Sequence, residues 1–112
     1  MDKEILDYEE ALGRVLNKRE LYIKLLNKFI DNESNTPTKI REAYQNNNID
    51  EAKTLVHTTK GVAANLGAKL LQQVALELEN DLKTNTNIES SLQNFIVALN
   101  KTIEKIKNYI NQ

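Results

Sequence analysis

An all-α fold is predicted: an antiparallel four-helix bundle with one or two short additional N-terminal or connecting helices. Three features carry this expectation. Glycine (3) and proline (1) are scarce among 112 residues, while Leu, Ala, Lys, Glu and Gln are plentiful, a balance that favours helix throughout. Apolar residues recur at three- and four-residue spacing along four long segments, the period of one helix face. Short polar clusters separate those segments, and four amphipathic helices joined by short turns bury their stripes together as an antiparallel bundle.

The first element is a short helix over about residues 2–16, with Ile5, Leu6, Leu12, Val15 and Leu16 as its apolar positions and Gly13 as an interruption. Asn17 followed by Glu20 has capping-box spacing, so the second helix is expected from Lys18. Its stripe is Leu21, Tyr22, Leu25, Leu26, Phe29 and Ile30, and residues 31–35 read as a polar turn. Thr36-Pro37 then reads as N-cap and first helical residue, where proline's missing N–H costs nothing. That third helix closes at Asn46-Asn47-Asn48. Asn48 and Glu51 repeat the capping-box spacing and open a fourth helix to about Asn65. Gly67 breaks the chain, a fifth helix runs from about Ala68 to Lys83, and residues 84–87 form a turn with Asn87 as N-cap. The last helix carries Ile88, Leu92, Phe95, Leu99, Ile103, Ile106 and Ile110 on one stripe. With no repeat, low-complexity run or linker, the chain is expected to be one domain over 1–112, its bundle spanning about 18–111.

Composition narrows the function. A net charge of -1 offers no basic face for phosphate neutralisation, so no nucleic-acid partner is expected. No apolar run approaches a membrane span, and Met1-Asp2-Lys3-Glu4 lacks the pattern of a signal peptide. There is no cysteine, which removes disulfides and thiolate metal sites and fits a reducing, cytoplasmic location. One histidine without cysteine is a poor ligand set, so no metal site is expected. Thr54, three residues before His57, also breaks the Glu-x-x-His pattern of di-iron bundles.

That histidine, His57, lies in the fourth helix. At about 100° per residue, Ala52, Leu55, Thr59, Val62, Ala63 and Leu66 fall on the far side of the helix from it. Lys53, Lys60, Gly61 and Ala64 fall within about 60° of it. His57 is therefore presented away from the core. Helical side chains lean toward the N-terminus, so a side chain at 61 would partly cover His57; glycine leaves the ring open, against a helix cost of about 1 kcal/mol. Lys60 leans back beside the ring and Lys53 adds a second cation one turn earlier. An open imidazole flanked by cations suits a phosphoryl group carried on a ring nitrogen: imidazole is a nucleophile near neutral pH, and ammonium groups screen the phosphoryl charge. General acid–base chemistry is the weaker reading, because no orienting carboxylate, nucleophile or pocket is apparent.

Here the chain resembles the histidine-containing phosphotransfer (HPt) domain of bacterial phosphorelays. The resemblance rests on His57-Thr58-Thr59-Lys60-Gly61, then Leu66-Gly67 and Leu78-Glu79, and on Asp7-Tyr8-Glu9-Glu10-Ala11-Leu12, Glu20-Leu21-Tyr22 and Asn65-Leu66-Gly67-Ala68. It covers nearly the whole chain. It implies that His57 accepts the phosphoryl group, Lys60 steadies it and Gly61 admits the partner. Glu79 occupies the family position for a partner of the imidazole, with Glu77 and Gln73 as weaker stand-ins. Two departures are present. Thr59 stands where a larger aliphatic is usual, its hydroxyl able to bond back to the Leu55 carbonyl. Leu16-Asn17-Lys18-Arg19 replaces a Gly-rich turn, Asn17 being the best substitute for glycine.

The resemblance implies a carrier between receiver-domain aspartates, the receivers belonging to a hybrid sensor kinase and to response regulators. It implies no cofactor in this domain, since Mg²⁺ belongs to the receiver, and no kinase activity, in keeping with the missing phosphate-binding motif. The expected partner face is Lys53, Thr54, His57, Lys60, Gly61 and Ala64, with Leu12 or Val15 as apolar rim. A monomer is expected, either free-standing or as the C-terminal domain of a membrane-anchored kinase. The alternative is a helical interaction module of the same shape without phosphotransfer.

Overall fold

A computed structural model describes residues 2–112. Seven helices account for nearly all of them: α1 (Asp2–Ile5), α2 (Tyr8–Arg14), α3 (Arg19–Glu33), α4 (Thr36–Gln45), α5 (Ile49–Leu66), α6 (Lys69–Thr84) and α7 (Ile88–Ile110). Among the described residues there is no strand, and no helix is long and apolar enough to cross a membrane. The long helices α3, α5, α6 and α7 form the bundle, α5 packing most extensively on α6 and α6 on α7. The short α4 packs against α5, while α1 and α2 cover one end.

The core is mainly aliphatic, with Phe29, Phe95, Tyr22 and Tyr109 as its buried aromatic residues. Leu26, Phe29, Leu71, Leu78, Leu92, Phe95 and Leu99 are fully buried, each worth about 1.5–3 kcal/mol against exposure. A surface ion pair such as Arg41–Glu89, 3.0 Å apart, contributes about 0–1 kcal/mol. The stripes, not the charges, therefore hold the bundle.

Turn chemistry decides where helices stop. Asn48 caps α5 as its spacing predicts: its Oδ1 accepts from the Glu51 N–H at 3.2 Å, and its Nδ2 donates to Glu51 Oε2 at 2.9 Å. At the other end of α5, Gly67 has φ +83. The Gly67 N–H donates to Ala64 O at 3.4 Å and the Ala68 N–H to Ala63 O at 2.9 Å, a Schellman motif. No side chain could replace this glycine cheaply, because a Cβ there would lie 2.5 Å from the Asp7 carbonyl oxygen.

Several boundaries differ from the sequence reading, each for a local reason. The N-terminal stretch is two helices, broken at Leu6-Asp7 and not at Gly13, which lies inside α2. Asp7 caps α2 through its side chain, its N–H donates to Gly67 O at 2.8 Å, and Leu6 is buried. Leu16 is not an apolar-face residue; it is 79% exposed, in a left-handed turn with Asn17. The Asn17–Glu20 capping box does not form, since Lys18 is the N-cap of α3 and makes no side-chain cap bond. Asn17 instead supplies the positive φ of +60 that glycine commonly provides. Helix α3 continues through residues 31–33, and Thr36 is the first residue of α4, with Asn35 as its cap. Asn87 caps α7 without a side-chain bond.

Candidate functional site

Helix α5 turns a buried row of Ala52, Val56, Thr59, Ala63 and Leu66 into the bundle and holds His57 outward, its side chain 68% exposed. The Gly67 turn folds α6 back antiparallel to α5. That register brings Glu79 beside His57, with the ring Nδ1 2.8 Å from Glu79 Oε2. The other carboxylate oxygen, Oε1, accepts from Lys60 Nζ at 2.6 Å. One carboxylate thus binds the histidine and the lysine through separate oxygens.

Burial works to raise the carboxyl pKa of Glu79, but the hydrogen bonds from Lys60 and His57 outweigh it and hold the group below its ordinary value. An ionised carboxylate is acceptor-only, so the proton between Nδ1 and Oε2 belongs to the ring. Nδ1 therefore carries a proton, and in a neutral ring that tautomer has its lone pair on Nε2.

Gly61 lies beside this ring in the interior of α5, and a Cβ added there would meet nothing within 4 Å. No packing within the described residues requires glycine at this position. Thr54 is exposed, its hydroxyl donating to Asp50 O at 3.0 Å. Lys53 is half-buried and its Nζ lies 3.7 Å from Asp50. Ala64 is half-buried too, and its carbonyl accepts from Arg14 Nη1. Leu12 and Val15 pack against the core edge. Val15 also lines a groove of about 380 Å³ between α3 and α5, with Leu25 and Val62 as apolar walls and Arg14 and Lys28 among its cations. Gln73 and Glu77 are exposed on α6 and take no part in the His57–Glu79–Lys60 contacts.

Sequence reasoning missed Glu33. It is 7% exposed, and its Oε1 accepts from the hydroxyls of Thr59 and, at 3.3 Å, of Thr36. The Thr59 hydroxyl also lies 3.2 Å from Leu55 O, the back-bond its position suggests. The available signal was Thr59 itself: a polar residue on a core face needs a buried partner. Asp7, Arg14 and Tyr22 were missed as supports of α5. Tyr22 Oη donates to Leu66 O at 2.8 Å, so with Arg14 and the Asp7 N–H the carbonyls of residues 64, 66 and 67 are all satisfied.

The sequence pattern of the family described as Hpt domain matches residues 24–110. Among solved structures, the HPT domain of a hybrid sensor histidine kinase from Shewanella is similar with a TM-score of 0.82, covering 98% of this chain and 97% of that one. Its identity to this chain is 22%, so that likeness speaks to the fold alone. No curated protein matches the sequence.

Proposed function

The chain belongs to the Hpt domain family, and from that premise we propose that it is a phosphorelay carrier whose acceptor is His57. In this reading the Nε2 lone pair attacks the phosphorus of an aspartyl-phosphate on a receiver domain. The N–P bond forms as the P–O bond breaks, and the aspartate leaves as its carboxylate. The same step in reverse delivers the phosphoryl group to the aspartate of a second receiver. The observation that carries the proposal is the Nδ1–Glu79 hydrogen bond of 2.8 Å on a ring otherwise open to solvent. It supports a neutral tautomer with the proton on Nδ1 and the free lone pair on Nε2.

Lys60 is engaged with Glu79 before any phosphoryl group arrives. An ammonium has three donors, so Nζ keeps that bond while turning a second N–H toward a phosphoryl oxygen on Nε2. Gly61 supplies the clearance a receiver needs to bring its aspartate to the ring. The proposed docking face extends from Lys53 and Thr54 past Gly61 to Ala64. Its apolar flank is the α3–α5 groove, whose Arg14 and Lys28 suit the acidic surround of a receiver's aspartate. The reading assigns no cofactor to this domain, places Mg²⁺ in the receiver, and implies a cytoplasmic location and a monomeric carrier.

Incubation with a phosphorylated receiver tests the proposal. Acid-labile, base-stable phosphate is expected on the wild type and not on His57→Gln. Equal labelling of the two would sink the carrier reading and leave a helical interaction module of the same fold.

A further inference from the structure

A carboxylate stands in the otherwise apolar wall of the α3–α5 groove. Leu25, Phe29, Val62 and Leu66 line that groove, and so does Glu33, a residue only 7% exposed. The hydroxyls of Thr36 and Thr59 both donate to the same oxygen of Glu33, Oε1. Oε2 has no partner among the described residues, yet no buried side-chain oxygen there is left unsatisfied. Oε2 is therefore not sealed in the core, and the surface that Glu33 reaches is the groove.

The protein's own cations do not answer this oxygen. Arg14 is bonded to Glu10 and to the Ala64 carbonyl, and none of the ion pairs among the described residues includes Glu33. A carboxylate accepts through both oxygens, and burying one without a cation is costly. A partner that covered the groove with apolar side chains alone would strip Oε2 of water and leave it unpaired. An ammonium or guanidinium in the same place would form a charge-assisted bond. The difference between those two outcomes is a basis for choosing partners.

We propose that Glu33 determines specificity: it selects receivers that set a lysine or arginine among the apolar side chains filling this groove. The inference rests on the carrier reading above. Thr59 ties the selection to the acceptor, because it stands on α5 two residues after His57 and its hydroxyl holds Oε1 in place against that helix. A cation seated on Oε2 is thereby set in register with the ring. Glu33 itself has no bond to His57, Lys60 or Glu79, so it acts on binding and not on the transfer step.

The test uses a purified receiver carrying aspartyl-phosphate, chosen because it labels His57 of the wild type. Each lysine and arginine on its docking face is changed singly to methionine, and KM and kcat for loading are measured with wild type and with Glu33→Gln. Glutamine is isosteric, and its Oε1 still accepts both hydroxyls; the urea midpoint checks that the bundle is retained. One receiver substitution should raise KM for the wild type at least about tenfold with kcat little changed, the pattern of lost uniform binding. Glu33→Gln should raise KM for the unaltered receiver by a similar factor, and the two changes together should cost little more than either alone. The cycle is repeated with Glu33→Met in Thr59→Val, which removes the carboxylate together with one buried donor, so that the result does not hang on one variant folding. Independent, multiplying effects in both backgrounds, or a receiver series in which no basic residue alters KM, would overturn the inference and leave the carrier standing. If no phosphorylated receiver labels His57 of the wild type, the carrier reading falls and the inference with it.

Discussion

Replacing Gly61 by alanine should make the protein more stable. Gly61 sits in the interior of the 18-residue helix α5, and a Cβ there meets nothing within 4 Å. Alanine then brings only the propensity gain, about 0.8–1.0 kcal/mol. In a chain of 112 residues that corresponds to a rise in Tm of about 3–6 °C, readable by circular dichroism at the helix band. Gly67→Ala is the contrasting case: at φ +83, with the Asp7 carbonyl oxygen 2.5 Å from the new Cβ, it should lose more than about 1 kcal/mol. Leucine is nearly as good a helix former as alanine, so Gly61→Leu should also melt above the wild type. Its side chain leans back toward His57 and should slow receiver-dependent loading at least about tenfold, the cost of about 1.4 kcal/mol at the transition state. A lower Tm for Gly61→Ala would mean that the fold itself needs the glycine. Full transfer by Gly61→Leu would remove the access argument.

Three further outcomes follow from the site and its supports. Lys60→Ala should slow transfer while changing stability by less than about 1 kcal/mol, since the lost partner is a partly exposed carboxylate; a large drop in urea midpoint would count against this. Thr59→Val strips one of two hydroxyls from the buried Glu33 and should cost about 1–3 kcal/mol, whereas Thr59→Val with Glu33→Met should recover most of that. A single mutant as stable as the wild type in urea would refute the buried-acceptor account. Acid should destabilise the fold partly through Asp7 and Glu79. The Lys69 hydrogen bond, followed by the Glu10 N–H, holds Asp7 below its ordinary value of 3.8. Glu79 lies below 4.5 because its Lys60 and His57 bonds outweigh its burial. The unfolded chain therefore binds more protons in this window. Stability from these groups is complete above the ordinary values and is lost as pH falls through the lower folded ones. Asp7→Asn should flatten the acid limb of Tm against pH; an unchanged limb would show that Asp7 does not contribute.

What was legible in the sequence was whatever local chemistry decides. The stripe of α7 needs only a count of apolar positions, and its range of Ile88–Ile110 coincides with the stripe's ends. Gly67 announces its own left-handed turn, and Asn48 with Glu51 announces a cap. Even the pairing of α5 with α6 could be counted outward from Gly67 to bring roughly residues 77–79 opposite residue 57. The failures lie where a distant partner decides. Asp7 breaks the N-terminal helix because its N–H and carboxylate are bonded to Gly67 and Lys69, about sixty positions along the chain. Glu33 stays helical although its neighbours read as a polar turn, because hydroxyls from α4 and α5 enclose its carboxylate. The attachment of Lys60 to Glu79 could not be read from spacing along one helix.

The capped end of α5 bears on where a working fragment can be cut. The matched pattern begins at residue 24, and a fragment trimmed to it would omit α1, α2 and the first turn of α3. Those omitted residues supply Asp7, Arg14 and Tyr22, the donors to the carbonyls of Gly67, Ala64 and Leu66. The trimmed fragment would keep His57, Lys60 and Glu79 yet leave the α5–α6 corner without its clasp, free to fray. Since that corner sets the register of Glu79 against His57, a boundary drawn from the matched region alone would weaken the acceptor site from more than two helical turns away.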